Sequence, residues 1–363
     1  MAANPVPELL PHEERRWSLV RAGTFPRLRV LAWHGDLLYA SCGYQLLRAK
    51  IIADINKIDW QPVGSYDPSA WRVLSSSHLL SARLFRDGFH ALAVLPTNHL
   101  IGAVPGAIIT LAPGATEFRV FHKVLRGTRP LHITAVPGGQ IFWGEYFDNP
   151  QRDEVHIYGS VDNGSSWQIA FTFPAGSIRH VHNIVHDPWG NCLWILTGDS
   201  GAECRILRAS CDFKNVDVVL SGYQQARAVA MVSAEDGLYF SSDTPLERNH
   251  IYRLDRLGNI ATLADLDSSS ISGCRVGNTM FFSTMVEPSE ANLKQTVSIY
   301  GAHGGASWRK QLSWKKDVWP KGLFQYGNAF LPGGHNATGI LALTTIAVKP
   351  GDLETSLWRI VNE

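Results

Sequence analysis

Arginine is followed closely by histidine three times in this chain: Arg86-Asp-Gly-Phe-His90, Arg129-Pro-Leu-His132 and Arg179-His180-Val-His182. Gln225-Ala-Arg227, Cys274-Arg275 and Tyr326-Gly-Asn328 continue the series downstream. A guanidinium is planar and presents its N–H groups as a fork, so it grips a carboxylate through two bonds at once. Several guanidinium groups brought together repel one another until an anion neutralises them. A neutral imidazole can take up a proton or hold a divalent metal. In an extended strand the two rings of His180-Val-His182 fall on one side. With Gln225 nearby they make a candidate set for one divalent ion, Mn or Ca.

A second group is acidic or phenolic. Glu145 and Tyr146 lie in Gly144-Glu-Tyr-Phe-Asp148, Asp199 in Gly198-Asp-Ser-Gly-Ala-Glu203, and Asp243 in Ser242-Asp-Thr-Pro-Leu-Glu247. Glu287 and Glu290 are weaker members. The expected roles divide accordingly. His90, His132, His182, Tyr146 and Glu145 are candidates for acid–base chemistry. Arg86, Arg129, Arg179, Arg227, Arg275, Tyr326, Asp199 and Asp243 are candidates for ligand binding. His180, His182 and Gln225 are candidates for the metal. Any single one reads more readily as a channel residue satisfied by backbone carbonyls or water, and each acid as a solvated loop residue. The case rests on the repetition.

These residues must be positioned by something that repeats. One phrase recurs seven times: an apolar alternating run, a Pro/Gly/Asn/Asp turn, and a second apolar run. It spans residues 30–41, 90–104, 132–146, 182–198, 227–243, 274–285 and 328–344. Third strands of shared form follow, as in Val155-His-Ile-Tyr158, Arg205-Ile-Leu-Arg208, Ile251-Tyr-Arg-Leu254 and Val297-Ser-Ile-Tyr300. Fourth strands follow in turn, such as 167–173 and 308–314. Four strands repeating every ~40–55 residues describe a propeller blade. The expected fold is therefore all-β: a seven-bladed β-propeller of four antiparallel strands per blade, one domain over residues 1–363. Helical periodicity is almost absent. The run 356–361 reads as a third strand, and residues 16–20 as the fourth strand that closes blade seven. The arginine and histidine pairs sit where first strands begin, so they should converge at the mouth of the central channel. Trp33, Trp143, Trp189, Trp194, Trp308 and Trp319 read as packing between blades.

Between the third and fourth strands of blade three stands Ser160-Val-Asp162-Asn-Gly164-Ser-Ser166-Trp167. Asp162 can accept backbone N–H bonds, Gly164 supplies a positive φ, and Trp167 packs inward. This stretch resembles the Asp-box of sialidase-like and other BNR-repeat propellers. Ser210-Cys-Asp212 and Gly304-Gly-Ala-Ser307-Trp308 are partial echoes. The resemblance implies a functional face opposite the boxes, where the Arg and His loops fall. It also brings in two enzyme classes. Propeller lyases, including the oligogalacturonide lyases with His and Gln ligands to a divalent metal, cleave uronate sugars by β-elimination. Sialidase-like hydrolases use three arginines, an Asp acid and a Tyr nucleophile; here Arg86-Asp-Gly departs from the Arg-Ile-Pro signature of that family.

Composition sets outer bounds. Net charge is +1 and no basic run occurs, which speaks against a nucleic-acid partner. No apolar stretch approaches the ~18 residues of a membrane span. Residues 1–16 lack the basic start and apolar core of a signal peptide, and the five cysteines are odd in number and irregular in spacing. The expectation is a cytoplasmic protein with free thiols. Motifs of nucleotide-dependent enzymes and serine hydrolases are missing. The function expected first is elimination on an acidic, uronate-containing oligo- or polysaccharide. A sialidase-like hydrolase and a non-catalytic propeller that binds a glycan or a protein stay open as alternatives.

Overall fold

The computed structural model describes residues 17–362, except positions 53, 78, 288, 293, 321–323 and 325. Seven sheets, each with an antiparallel core of four strands, form seven blades of a β-propeller. Their first strands are Arg29–Gly35, Ala91–Val94, Thr134–Ala135, Val181–Asp187, Ala228–Ala234, Ser270–Val276 and Asn328–Phe330.

The burial gradient across each blade follows from its neighbours. Second strands such as Cys192–Thr197, Gly237–Ser242 and Thr279–Thr284 are buried at every position, because blades cover them on both faces. Fourth strands such as Arg119–Lys123 are mostly exposed, because they form the outer edge and carry charge against edge pairing. Gly144 lets blade three sit close to blade four: a Cβ there would lie 2.4 Å from Val181.

The ring closes where the sequence places it. Trp17–Pro26 pairs with Glu354–Asn362, so the start of the described chain supplies the outer strand of blade seven. Blade seven is stitched to both neighbours. Gly333–Asn336 pairs in parallel with the first strand of blade one, and Val348–Lys349 with the outer strand of blade six. These two sheets therefore have five strands rather than four.

Two helices depart from the all-strand expectation: α1 (Ala70–Ser77) and α2 (Leu79–Phe85), inserted between blades one and two. Arg83 anchors α2 through Asp317 at 2.7 Å and Asp352 at 2.9 Å. Asp87 caps the insertion, accepting bonds from Arg72 at 2.7 Å, Tyr44 at 3.0 Å and Ser75. The insertion ends at Arg86, held at a φ of +51°.

The Ser160–Trp167 hairpin folds as its residue types dictate. Asp162 Oδ1 accepts the N–H groups of Ser165 at 3.1 Å and Ser166 at 2.9 Å, and Oδ2 accepts the Ser166 hydroxyl at 2.6 Å. Gly164 has a φ of +80°, and Thr110 of blade two donates to its carbonyl. Ser210 and Asp212 repeat part of this geometry in blade four. Trp33, Trp143, Trp194 and Trp308 are buried in the blade packing, whereas Trp189 and Trp319 are exposed. Those two lie in a turn and a bend between strands, outside the packing of the blades.

Candidate functional site

A cavity of about 400 Å³ opens where the first strands begin. It brings together Arg86, His90, Arg129, His132, Tyr146, His182, Asp199, Arg227, Asp243 and Tyr326. Arg29 joins them; it lies one residue before the first repeat and is the clearest omission of the sequence reading. Its signal was an arginine at the same strand entry as in the other blades.

Five candidates lie elsewhere or behind this lining. Glu145 is buried, holds both Arg126 Nε at 2.9 Å and Arg126 Nη2, and accepts the His156 N–H at 2.8 Å. It is a structural anchor rather than an acid–base group. Arg275 sits near the far end of its strand, donates to the Gly277 carbonyl at 2.7 Å and covers the Trp189 ring. Blade six begins at Ser270, not Cys274, and this register carries Arg275 to the opposite face. Gln225 lies in the short 3-10 turn Gln224–Ala226 and donates to Glu247 at 2.9 Å, turned away from the histidines. Arg179 stands behind the wall, pairing with Asp148 and, at 3.3 Å, with Asp199 Oδ2. His180 packs against Tyr146, ring centroids 4.3 Å apart with the rings tilted, and meets His182.

The cavity is electrically divided. One wall, from blades one to three, carries Arg29, Arg86 and Arg129. Among the described residues none of the three has a carboxylate within 4.0 Å. Burial lowers Arg29 to about 10, and burial with the charges of Arg29 and Arg86 lowers Arg129 to about 9. His90 belongs to this wall: one ring nitrogen lies 2.6 Å from the Arg86 carbonyl and the other 3.4 Å from Arg29 Nη1. The carbonyl and the guanidinium fix it as a neutral tautomer with both nitrogens in use, so it positions arginines and is not free to take a proton. Burial and the neighbouring arginines hold it well below the usual histidine range.

His132 differs. Burial, with the nearby His182, lowers it to about 4, so it is neutral at neutral pH. Among the described residues its ring has no hydrogen-bond partner. Tyr146 is pushed up, chiefly by burial and then by the charges of Asp199 and Asp243.

The opposite wall, from blades four to six, carries Asp199, Asp243, Glu287 and Arg227. Asp199 follows Gly198, whose φ of +83° turns the loop so tightly that a Cβ would lie 1.8 Å from the Glu203 carbonyl. Burial alone would push the Asp199 carboxyl up, but the His180 and His182 rings beside it hold it below the usual carboxylate range. Asp243 goes the other way. Burial raises it to about 8 against the pull of Arg227, aided by the charges of Glu287 and Asp199. Glu287 itself accepts the Ser269 hydroxyl at 2.6 Å.

The sequence matches no protein-family model and no curated protein. Its fold is similar to solved propellers at low identity. A chain from the mitotic checkpoint complex is 11% identical, with a TM-score of 0.56 over 99% of this chain and 100% of that one. The WD40 β-propeller domain of Doa1 is 10% identical, with a TM-score of 0.54 over 95% and 97%. The GH74 enzyme of Niastella koreensis is 14% identical, with a TM-score of 0.52 over 81% of this chain and 46% of that one. These likenesses show the propeller fold and nothing finer. The likeness to Asp-box propellers rests on Ser160–Trp167 alone.

Proposed function

We propose that the cavity binds an acidic oligosaccharide and cleaves it by β-elimination next to a uronate. One observation carries this reading: Arg29, Arg86 and Arg129, none with a carboxylate partner among the described residues, line one cavity with a neutral histidine and a carboxyl raised to about 8. Clustered guanidinium groups are costly without an anion, and a sugar carboxylate supplies it. Neutralising that carboxylate acidifies the adjacent C5–H, because the developing enolate-like charge spreads onto it.

His132 is the neutral group left free to accept the C5 proton, and Tyr146 is the second candidate. The electron pair then forms the C4=C5 double bond, and the C4–O bond breaks. Asp243, protonated at neutral pH, can give its proton to the departing oxygen. Entry of the substrate carboxylate between the arginines would raise the basicity of His132, because a negative charge favours its protonated form.

A hydrolytic reading draws on the same Asp243. A protonated carboxyl beside a second carboxyl, Glu287, also suits acid-assisted glycoside cleavage. Product chemistry separates the two. Incubation with a panel of uronate oligosaccharides should give a rising ultraviolet band from the unsaturated sugar, abolished in His132→Ala. Release of saturated sugars alone would favour hydrolysis. Tight binding without turnover would favour a glycan-binding propeller.

A further inference from the structure

We infer that His180, His182 and Asp199 hold one divalent transition-metal ion at the wall of the cavity. The argument is tautomeric. His180 Nδ1 lies 3.1 Å from the Phe147 carbonyl, and His182 Nδ1 lies 3.0 Å from the Ala228 carbonyl. A carbonyl only accepts, so each Nδ1 carries a proton, and a ring with a single proton keeps it there. Both Nε2 lone pairs are then bare. They lie 3.1 Å apart, and each is 3.4 Å from Asp199 Oδ1. All three ligand atoms fall within 4.8 Å of one another, and both imidazoles are buried. Two lone pairs and a carboxylate oxygen facing one point repel one another unless a cation stands between them.

The geometry suits a metal. At an M–N length of ~2.1 Å, two nitrogens 3.1 Å apart subtend an angle of ~95° at the ion. Backbone carbonyls on the Nδ1 protons are the usual outer support of a metal-bound imidazole, and Arg179 orients the second oxygen of Asp199. Two imidazoles favour Mn, Fe or Zn and disfavour Ca, which takes oxygen ligands. This revises the sequence-based set: Asp199 stands in place of Gln225, and Ca drops out. Three protein ligands leave coordination positions open, and His182 and Asp199 both line the cavity. The ion would therefore face the bound ligand. Its service to the reaction, as a second neutralising charge on the sugar carboxylate, rests on the reading proposed above; the binding site does not.

The test uses the full chain and the metal alone. The chain is stripped with chelator and titrated with Mn2+ and Zn2+ by calorimetry, and with Co2+ by its visible spectrum. One equivalent should bind, and His182→Gln and Asp199→Asn should each weaken binding at least ~10-fold, the scale of losing a ligand or its support. His90→Gln, a histidine of the other wall, should leave binding unchanged and serves as the folding control alongside circular dichroism. Absence of stoichiometric binding in the folded wild-type chain would overturn the site; a shared proton between the rings would then explain their contact. Equal binding by wild type and His182→Gln would overturn it too. Metal binding without sugar cleavage would leave the site standing and remove the elimination reading. Cleavage that persists in chelator would do the reverse for the role of the ion.

Discussion

Asp243 and Arg227 are joined twice: the Asp243 N–H donates to the Arg227 carbonyl at 2.8 Å, and the side chains approach to 3.7 Å. Even so, Arg227 does not keep Asp243 ionised, because burial and the charges of Glu287 and Asp199 outweigh it. The folded pKa is about 8, against ~3.9 for an unfolded aspartate. Between these values the native state binds a proton that the unfolded chain does not. This group therefore makes stability fall as pH rises from about 4 to about 8. Asp243→Asn should remove that slope: the variant should gain on wild type through this window and match its trend below it. Thermal melts across pH check this, and parallel curves would show that Asp243 is ionised throughout. In the same variant, turnover should be lost.

Arg129 should trade stability for binding. It is half-buried beside Arg29 and Arg86, and among the described residues its hydrogen-bond partner is the Thr128 hydroxyl, at 3.2 Å. Arg129→Met keeps its apolar bulk and relieves repulsion. We expect the ligand-free variant to be more stable by ~1 kcal/mol, with acidic oligosaccharides bound ~10–100-fold more weakly. Neutral oligosaccharides should be affected far less. Calorimetry with matched acidic and neutral sugars measures both effects.

Gly198 should be irreplaceable for a reason Gly258 does not share. Both have positive φ, +83° and +92°, but a Cβ at Gly198 would strike the Glu203 carbonyl, whereas at Gly258 nothing lies within 4 Å. Gly258→Ala should cost ~1 kcal/mol, from backbone strain alone. Gly198→Ala should cost at least ~2 kcal/mol and displace Asp199, so that metal binding falls as well. Equal, small losses in denaturant melts of the two variants would contradict the loop geometry.

Asp187 should act as a staple on the face opposite the cavity. It accepts both Nη groups of Arg256, the Ser233 hydroxyl at 2.6 Å and the Trp194 indole at 3.2 Å, linking blade four to blade five. Burial would raise it, but these bonds hold it at about 2. Its contribution is therefore present at neutral pH and is lost as pH falls from about 4 through about 2. Asp187→Ala should cost ~2–4 kcal/mol at pH 7, discounted for the partial exposure of Arg256. The cavity chemistry should be unaffected. Stability unchanged by the substitution would contradict the staple.

The propeller was legible because strand alternation and turn residues are local, and seven copies reinforce one another. The closing strand was legible for the same reason: an apolar run at residues 16–20 lacked any other partner, and the strand begins at Trp17, with Arg16 outside the described residues. The α1–α2 insertion was missed because a pair of helices of eight and seven residues is too short to impose a period on its surroundings. At the site, His180 and His182 could be paired by strand geometry, and Asp199 by its loop. Gln225 and Arg275 failed on register: a 3-10 turn rotates the first away, and a strand starting four residues earlier carries the second to the far face. Glu145 failed because its partner, Arg126, is distant in sequence and its pairing shows only in three dimensions.

The most direct test of the central claim is mass spectrometry of the products formed from uronate oligosaccharides in water enriched in heavy oxygen. Elimination takes no atom from solvent oxygen, so the new ends should be an unsaturated uronate and an unlabelled reducing sugar, apart from slow exchange. Products carrying one heavy oxygen from the cleavage step, or no cleavage of any acidic saccharide, would contradict the account.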